Sequence, residues 1–246
     1  MARRNFLLVL AYDGTDFQGW QRLPGAGRSV QETVEAALSA LLGEGIEVVG
    51  AGRTDAGVHA EGQAASFHSR TVLGPAAIAE GLSARFPRDV SCRSCREVDP
   101  RFHARFRARS KVYRYRLHVG PEQDAAARRT SLHVGPGPLD IGAMEAVGAE
   151  LLGERDFRAL SNAKGGDASR RLDKVRVEKR GEFLDLYFEG PGFLYNQVRV
   201  MAALLLEAGR GRLGPAEARA ILESKDRRRA PGALGPYGLC LVEVRY

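Results

Sequence analysis

The chain has 246 residues, 44% hydrophobic and 27% charged, a balance that suits a soluble globular protein of one large domain or two smaller ones. Lysine and arginine outnumber aspartate and glutamate 37 to 30, and the net +7 favours polyanions such as nucleic acid, unless the excess is solvated surface charge. Three cysteines exclude a fully paired disulfide framework, and no apolar run approaches the roughly 20 residues of a membrane helix. The run Phe6 to Leu10 is too short for a secretory signal and leads into Asp13-Gly14, so a cytoplasmic protein without membrane contact is expected.

In chain order, Asn5 to Tyr12 predicts an apolar strand closed by Asp13-Gly14. Ser29 is a plausible N-cap, with Glu32 completing a capping box, for a helix to Leu42 whose apolar positions include Val30, Val34, Leu38 and Leu41. Strands follow at 47–51 and 63–68, then a helix opened by Gly74-Pro75 and ended by Pro87, then a strand at 90–98. The order β-α-β-β-α-β then repeats. Lys111 to Val119 is a strand, Leu139-Asp140 opens a helix to Gly153, and strands at 175–179 and 183–188 flank the turn Arg180-Gly181-Glu182. A helix from about Phe193 to Glu207, a short extra helix at 215–222 and a last strand at 239–246 complete the pattern. Segments 121–136 and 161–171 read as loops.

Each unit has the order of the ferredoxin-like split βαβ motif, which RNA-recognition domains also use. The expected fold class is therefore α+β: two ferredoxin-like halves, residues 1–105 and 106–246, sharing a mainly antiparallel sheet with helices on one face and a central cleft. Cys92 and Cys95 form a C-x-x-C, but no second pair completes a zinc site, and on a regular strand positions three apart face opposite sides. The five histidines lie on different elements, without metal-site spacing, and Trp20 suits packing beneath a loop as well as RNA contact.

The most informative string is Ala51-Gly52-Arg53-Thr54-Asp55-Ala56-Gly57-Val58-His59-Ala60. Two glycines and an aspartate after a strand mark a tight turn that projects a short carboxylate, with Arg53 two positions before it. An ionised carboxylate beside a cation keeps its charge when partly buried and can act as nucleophile or base; a plain aspartate turn cap is the alternative. Farther on, a basic run holds Arg105, Arg107, Arg109, Lys111, Arg114 and Arg116, interleaved with Phe102, Phe106, Tyr113 and Tyr115. Such interleaving suits a groove where cations meet phosphates and aromatics meet bases, or else a strand with a solvated basic face. Arg170, Arg171 and Lys174 make a second basic cluster, and Arg227 to Arg229 a third.

The string GRTDAGVHA resembles the signature of the TruA family of tRNA pseudouridine synthases. The likeness extends along the chain through Tyr12-Asp13-Gly14-Thr15, Phe17 and Gly19-Trp20-Gln21, then Ser29 to Glu35. It continues through Phe102-His103-Ala104-Arg105, Tyr113-Arg114-Tyr115, Asp156-Phe157, Phe193-Leu194-Tyr195 with Val198-Arg199, and Gly238-Leu239 with Leu241. Departures are Asn196 where a histidine is common, Ala203 where a glycine is usual, and Leu160 where an aromatic usually follows Asp-Phe. The resemblance implies that Asp55 is the catalytic carboxylate. It also implies that Tyr113 stacks on the target base, that Arg199 pairs with Asp55, and that Arg53 touches the RNA backbone or shapes the site. Strand alternation puts Tyr113 and Tyr115 on one face, so a buried core role for both competes with base stacking.

It further implies a homodimer sharing one tRNA, acting on uridines of the anticodon arm without metal or cofactor. The lack of a dinucleotide or P-loop fingerprint is consistent with chemistry that needs no group donor. Two rival readings follow from the residues. A non-catalytic RNA-binding module of paired RNA-recognition-like units explains charge and topology, though no clear RNP1 string is present. A metal-dependent nuclease would need clustered carboxylates, for which only Asp13, Asp16 and Asp55 are candidates.

Overall fold

The computed structural model describes residues 3–25 and 27–246. Contacts divide the chain into one unit of Met1–Arg109 with Leu241–Tyr246, and a second of Ser110–Cys240. The class is α+β. Among the described residues strand pairing is mainly antiparallel, with a short parallel pair as the exception.

The first unit runs β1 (Arg4–Tyr12), α1 (Val30–Leu42), β2 (Val48–Gly50), β3 (His59–Ser69), α2 (Pro75–Ser83) and β4 (Val90–Val98), with strand order β4-β1-β3-β2. This is the ferredoxin-like order, reached because α1 and α2 each return the chain to insert a strand beside its neighbour. Ser29 Oγ accepts the Glu32 N–H at 3.2 Å to open α1, and Gly43 at φ 68° closes it, as only a residue free of a Cβ penalty does readily. Val30, Val34 and Leu38 are buried, and Phe6 stacks on Phe67 with centroids 5.3 Å apart, a contact worth about 1 kcal/mol beyond its buried area. Leu7, Ala51, Ala64 and Ala104 form a cluster closed by Phe102, Val244 and Tyr246. The Tyr246 hydroxyl donates to the Ala104 carbonyl at 2.9 Å, which helps tie Leu241–Tyr246 to the first unit.

One expectation is overturned on β4. The register passes from Val9↔Ser94 to Leu10↔Cys92, so Arg93 is an extra residue, and Cys92 and Cys95 stand opposite Leu10 and Leu8. A bulge of this kind resets the alternation, and the two thiols share a face rather than opposing ones. Burial pushes Cys92 up to about 11 and Cys95 up to about 12, the latter raised further by Cys92, so neither is a ready nucleophile.

The second unit runs β5 (Ser110–His118), β6 (Leu132–His133), α3 (Ile141–Glu150), β7 (Gly153–Asp156), β8 (Ser169–Leu172), β9 (Lys174–Arg180), β10 (Phe183–Gly190), α4 (Gln197–Gly209) and α5 (Pro215–Ser224). The chain then enters β11 (Leu239–Arg245), whose last residues belong to the first unit. β5, β10 and β9 pair in that order, and Asp140 Oδ1 caps α3 by accepting the Ala143 N–H at 2.9 Å. α4 is apolar nearly all round and almost wholly buried, the pattern of a central core helix.

Two segments expected as loops carry strands: Leu132–His133 runs parallel to the end of β5, and Ser169–Leu172 pairs with Gly153–Asp156 in a separate two-stranded ribbon. Short polar strands of two to four residues lack enough alternation to stand out from loop sequence. α4 begins at Gln197 rather than near Phe193, because Asn196 sits at φ 60° and interrupts the helical path. Among the described residues, no helix is long and apolar enough to cross a membrane.

Candidate active site

Asp55 lies half-buried on the turn between β2 and β3, and Arg53 beside it is exposed. Several backbone bonds hold the turn. Trp20 N–H donates to the Thr54 carbonyl at 3.0 Å, Gly57 N–H to Phe17 at 3.2 Å, and Val58 N–H to Asp55 at 3.1 Å. Thr54 is 5% exposed, and its hydroxyl meets the Tyr12 hydroxyl at 2.8 Å. Gln63 Nε2 fixes the carbonyl of Gly52 at 2.9 Å.

The segment that clamps the turn is the one beginning Tyr12-Asp13-Gly14-Thr15. Tyr12, Phe17 and Trp20 are all buried, and the Tyr12 ring lies 6.4 Å from each of the other two. Trp20 is packed against Gly50, where a Cβ would fall 2.5 Å from the indole, so its role here is support beneath a loop. Gly14 lets its backbone touch that of Val58, and its N–H donates to His59 Nδ1 at 3.1 Å. Gly19, at φ 95°, also passes close to Thr54, where a Cβ would fall 2.7 Å from the carbonyl oxygen. Two sequence blocks about forty residues apart thus build one rigid mount for a carboxylate, and rigidity of this kind is what holding a reacting group in register requires.

In the second unit, Tyr113 on β5 is 7% exposed and meets the Phe193 ring edge-on at 5.2 Å. Tyr115 on the same face is fully buried; its hydroxyl donates to the Gly235 carbonyl at 2.8 Å, and burial pushes its phenol well above the usual tyrosine range. Tyr115 is therefore a core anchor. Arg199 is half-buried near the start of α4. Its Nε donates to the Leu234 carbonyl at 2.6 Å, and a terminal nitrogen donates to Asn196 Oδ1 at 2.8 Å. Asn196, noted above as a departure from the family pattern, is thus the residue that steers this guanidinium.

The basic run divides sharply by environment. Arg101, Arg105, Arg107 and Arg109 are exposed. Lys111 is 8% exposed and its ammonium donates to the Pro191 carbonyl at 3.0 Å, so it braces the chain rather than facing solvent. Arg116 forks onto Asp185 through bonds of 2.7 and 2.8 Å, and Arg114 lies 4.0 Å from the same fully buried carboxylate. Those two arginines serve the second unit's interior charge balance. Arg171 is exposed and paired with Asp173 at 2.7 Å, while half-buried Arg170 donates to the Ser169 carbonyl at 2.6 Å. Among the described residues no group of three or more His, Cys, Asp or Glu side chains could hold a metal ion.

Comparison with known proteins places these features in one lineage. A family model described as tRNA pseudouridine synthase matches residues 8–107 and 148–246, which include the Asp55 turn and the start of α4. The chain is 40% identical over 245 residues to tRNA pseudouridine synthase A of Geotalea uraniireducens, covering 99% of this chain and 100% of the relative. It is 41% identical over 240 residues to the protein of that name from Brevibacillus brevis, covering 97% and 98%. For the one from Acetivibrio thermocellus the identity is 36% over 245 residues, covering 99% and 100%. Agreement of this extent through both units, together with the clamped aspartate turn, shows that the chain belongs to the tRNA pseudouridine synthase family.

Proposed function

We propose that the protein isomerises uridine to pseudouridine in tRNA, with Asp55 as the catalytic carboxylate. The reaction breaks the bond from ribose C1′ to N1, turns the uracil, and forms a bond from C1′ to C5; the C5 hydrogen leaves to solvent and N1 takes up a proton. No electrons are gained or lost and no group donor enters, so a carboxylate suffices as the reacting group. It acts by adding to the base, attacking the sugar or removing the C2′ proton, and each route needs the ionised form.

The observation that carries this reading is the mounting of Asp55: a half-buried carboxylate on a turn whose backbone is bonded on both sides to the Phe17–Trp20 segment. A solvent-facing turn cap needs no such clamp. A uridine inside a stem must leave its stack before its glycosidic bond is reached, at a cost of a few kcal/mol, and an aromatic contact offsets about 1–3 kcal/mol of that. Tyr113 supplies that contact in this reading. Arg199, steered by Asn196 and Leu234, supplies positive charge to the reacting centre, and Arg53 engages the RNA backbone. Arg105, Arg107, Arg109, Arg170 and Arg171 position phosphates without reading sequence. The target is the anticodon arm, at roughly positions 38–40 in tRNA numbering, recognised by shape and unpaired bases. The working form is a cytoplasmic homodimer.

The test is incubation with tRNA tritiated at uracil C5. Tritium release is expected, and a wild-type protein that releases none under any condition removes the proposal. Asp55→Asn should abolish release while tRNA binding stays within a few-fold; measurable turnover by that variant would take Asp55 out of the mechanism.

A further inference from the structure

The segment 99–109 is tied tightly to the first unit yet displays one aromatic ring to solvent. Asn5 Nδ2 donates to the carbonyls of Asp99 and Phe102, both at 2.9 Å. Ala104 N–H donates to Ser66 Oγ at 3.1 Å, Arg107 N–H to the His103 carbonyl at 3.0 Å, and Arg109 N–H to the Arg245 carbonyl at 2.8 Å. Phe102 turns inward against Tyr246, with centroids 4.9 Å apart, and Ala104 is fully buried. Phe106 turns outward and is 79% exposed.

One face of the Phe106 ring is backed by the His103 imidazole, 4.2 Å away at an interplanar angle of 26°. The imidazole is itself immobilised, since its Nδ1 accepts the N–H groups of Arg105 and Phe106 at 3.2 and 3.3 Å. Along the same segment Arg101, Arg105, Arg107 and Arg109 are all exposed, and no acidic residue occurs from Arg101 to Gly120. The fold gains little from a phenylalanine left in water. A rigid, exposed aromatic face on a segment of exposed arginines is instead the construction that receives a nucleotide: the ring stacks on the base and guanidiniums meet the phosphates. Protein interfaces have the opposite make-up, an extended apolar centre depleted of charge.

We infer that Phe106, backed by His103, is a stacking platform for an unpaired nucleotide of the RNA substrate other than the one undergoing isomerisation. The inference rests on the proposed reading that the substrate is RNA, and it adds a binding position outside the Asp55 turn. Phenylalanine offers no hydrogen-bonding group, so the platform accepts any base and contributes affinity rather than sequence choice.

The experiment compares the unaltered protein with Phe106→Ala and Phe106→Trp, using full-length tRNA. Filter binding gives Kd, tritium release from uracil C5 gives kcat and KM, and light scattering gives mass. Phe106→Ala should raise Kd and KM by about tenfold, the loss of one stacking contact, with kcat, mass and melting temperature unchanged. Phe106→Trp should restore Kd. Wild-type Kd and KM in Phe106→Ala overturn the inference, as does a change in mass, which would make Phe106 a protein contact. If the unaltered protein releases no tritium, the proposed reaction fails, while the Kd comparison still decides the platform.

Discussion

Gly14 is the position where a one-carbon change tests the whole site without touching Asp55. A Cβ placed on Gly14 falls 2.0 Å from the Val58 carbonyl oxygen and 2.5 Å from its carbon. Non-bonded heavy atoms are comfortable at about 3.5 Å, so the two backbones must part by about 1 Å or more. Neither can move alone. Phe17 N–H is bonded to the Gly14 carbonyl at 3.0 Å, and Val58 N–H to the Asp55 carbonyl at 3.1 Å, so the displacement passes into the Asp55 turn. Misplacing a reacting group by about 1 Å costs about a hundredfold in rate. The strain itself costs about 1–3 kcal/mol, or roughly 2–12 °C in melting temperature for a chain of this size. Gly14→Ala should therefore lower single-turnover tritium release by about a hundredfold, lower the melting temperature within that range, and leave tRNA Kd within about threefold. Gly45→Ala, where a Cβ meets nothing within 4 Å, is the control and should match wild type. A Gly14→Ala protein with unaltered rate and melting temperature would refute the argument that this contact sets the position of Asp55.

Two further outcomes follow from buried charge and half-buried thiols. Asp185 has no exposed surface and balances Arg116 and Arg114, so Asp185→Ala leaves cations of low exposure without their carboxylate. That variant should lose about 3–5 kcal/mol in denaturant titrations, and a loss under 1 kcal/mol would show that solvent already screens the group. The thiols of Cys92 and Cys95 are raised to about 11 and about 12 by burial, so the folded protein holds them neutral where an unfolded chain, with thiols near 9, begins to ionise. Their contribution to stability is complete below about pH 9 and falls as pH rises through 11 to 12. Alkylation at pH 8 should run about a hundredfold slower than that of a free cysteine at Cys92 and about a thousandfold slower at Cys95, and mass-resolved labelling at the free-thiol rate would contradict the burial.

What the sequence determined by itself is local. The order of the longer strands and helices, the Ser29 and Asp140 caps and the stop at Gly43 each depend on residues within a few positions of the backbone they satisfy. The turn at Asp55 could be read the same way, from its glycines. Partnership across the chain belonged to the tertiary structure. Arg93 becomes a bulge only because β1 sets the register of β4, and Lys111 turns away from solvent only because the Pro191 carbonyl is there to receive it. Leu241–Tyr246 join the first unit because Ala104 and Phe102 offer them a surface, more than a hundred residues back along the chain. The clamp on Asp55 has the same origin: Gly14 and Gly19 are ordinary turn residues until Val58 and Thr54 come within contact of them. Periodicity and capping act over one or two turns of chain, whereas contacts of this kind form only once loop closure has brought distant segments together. Nothing in the separate segments encodes the distance between them.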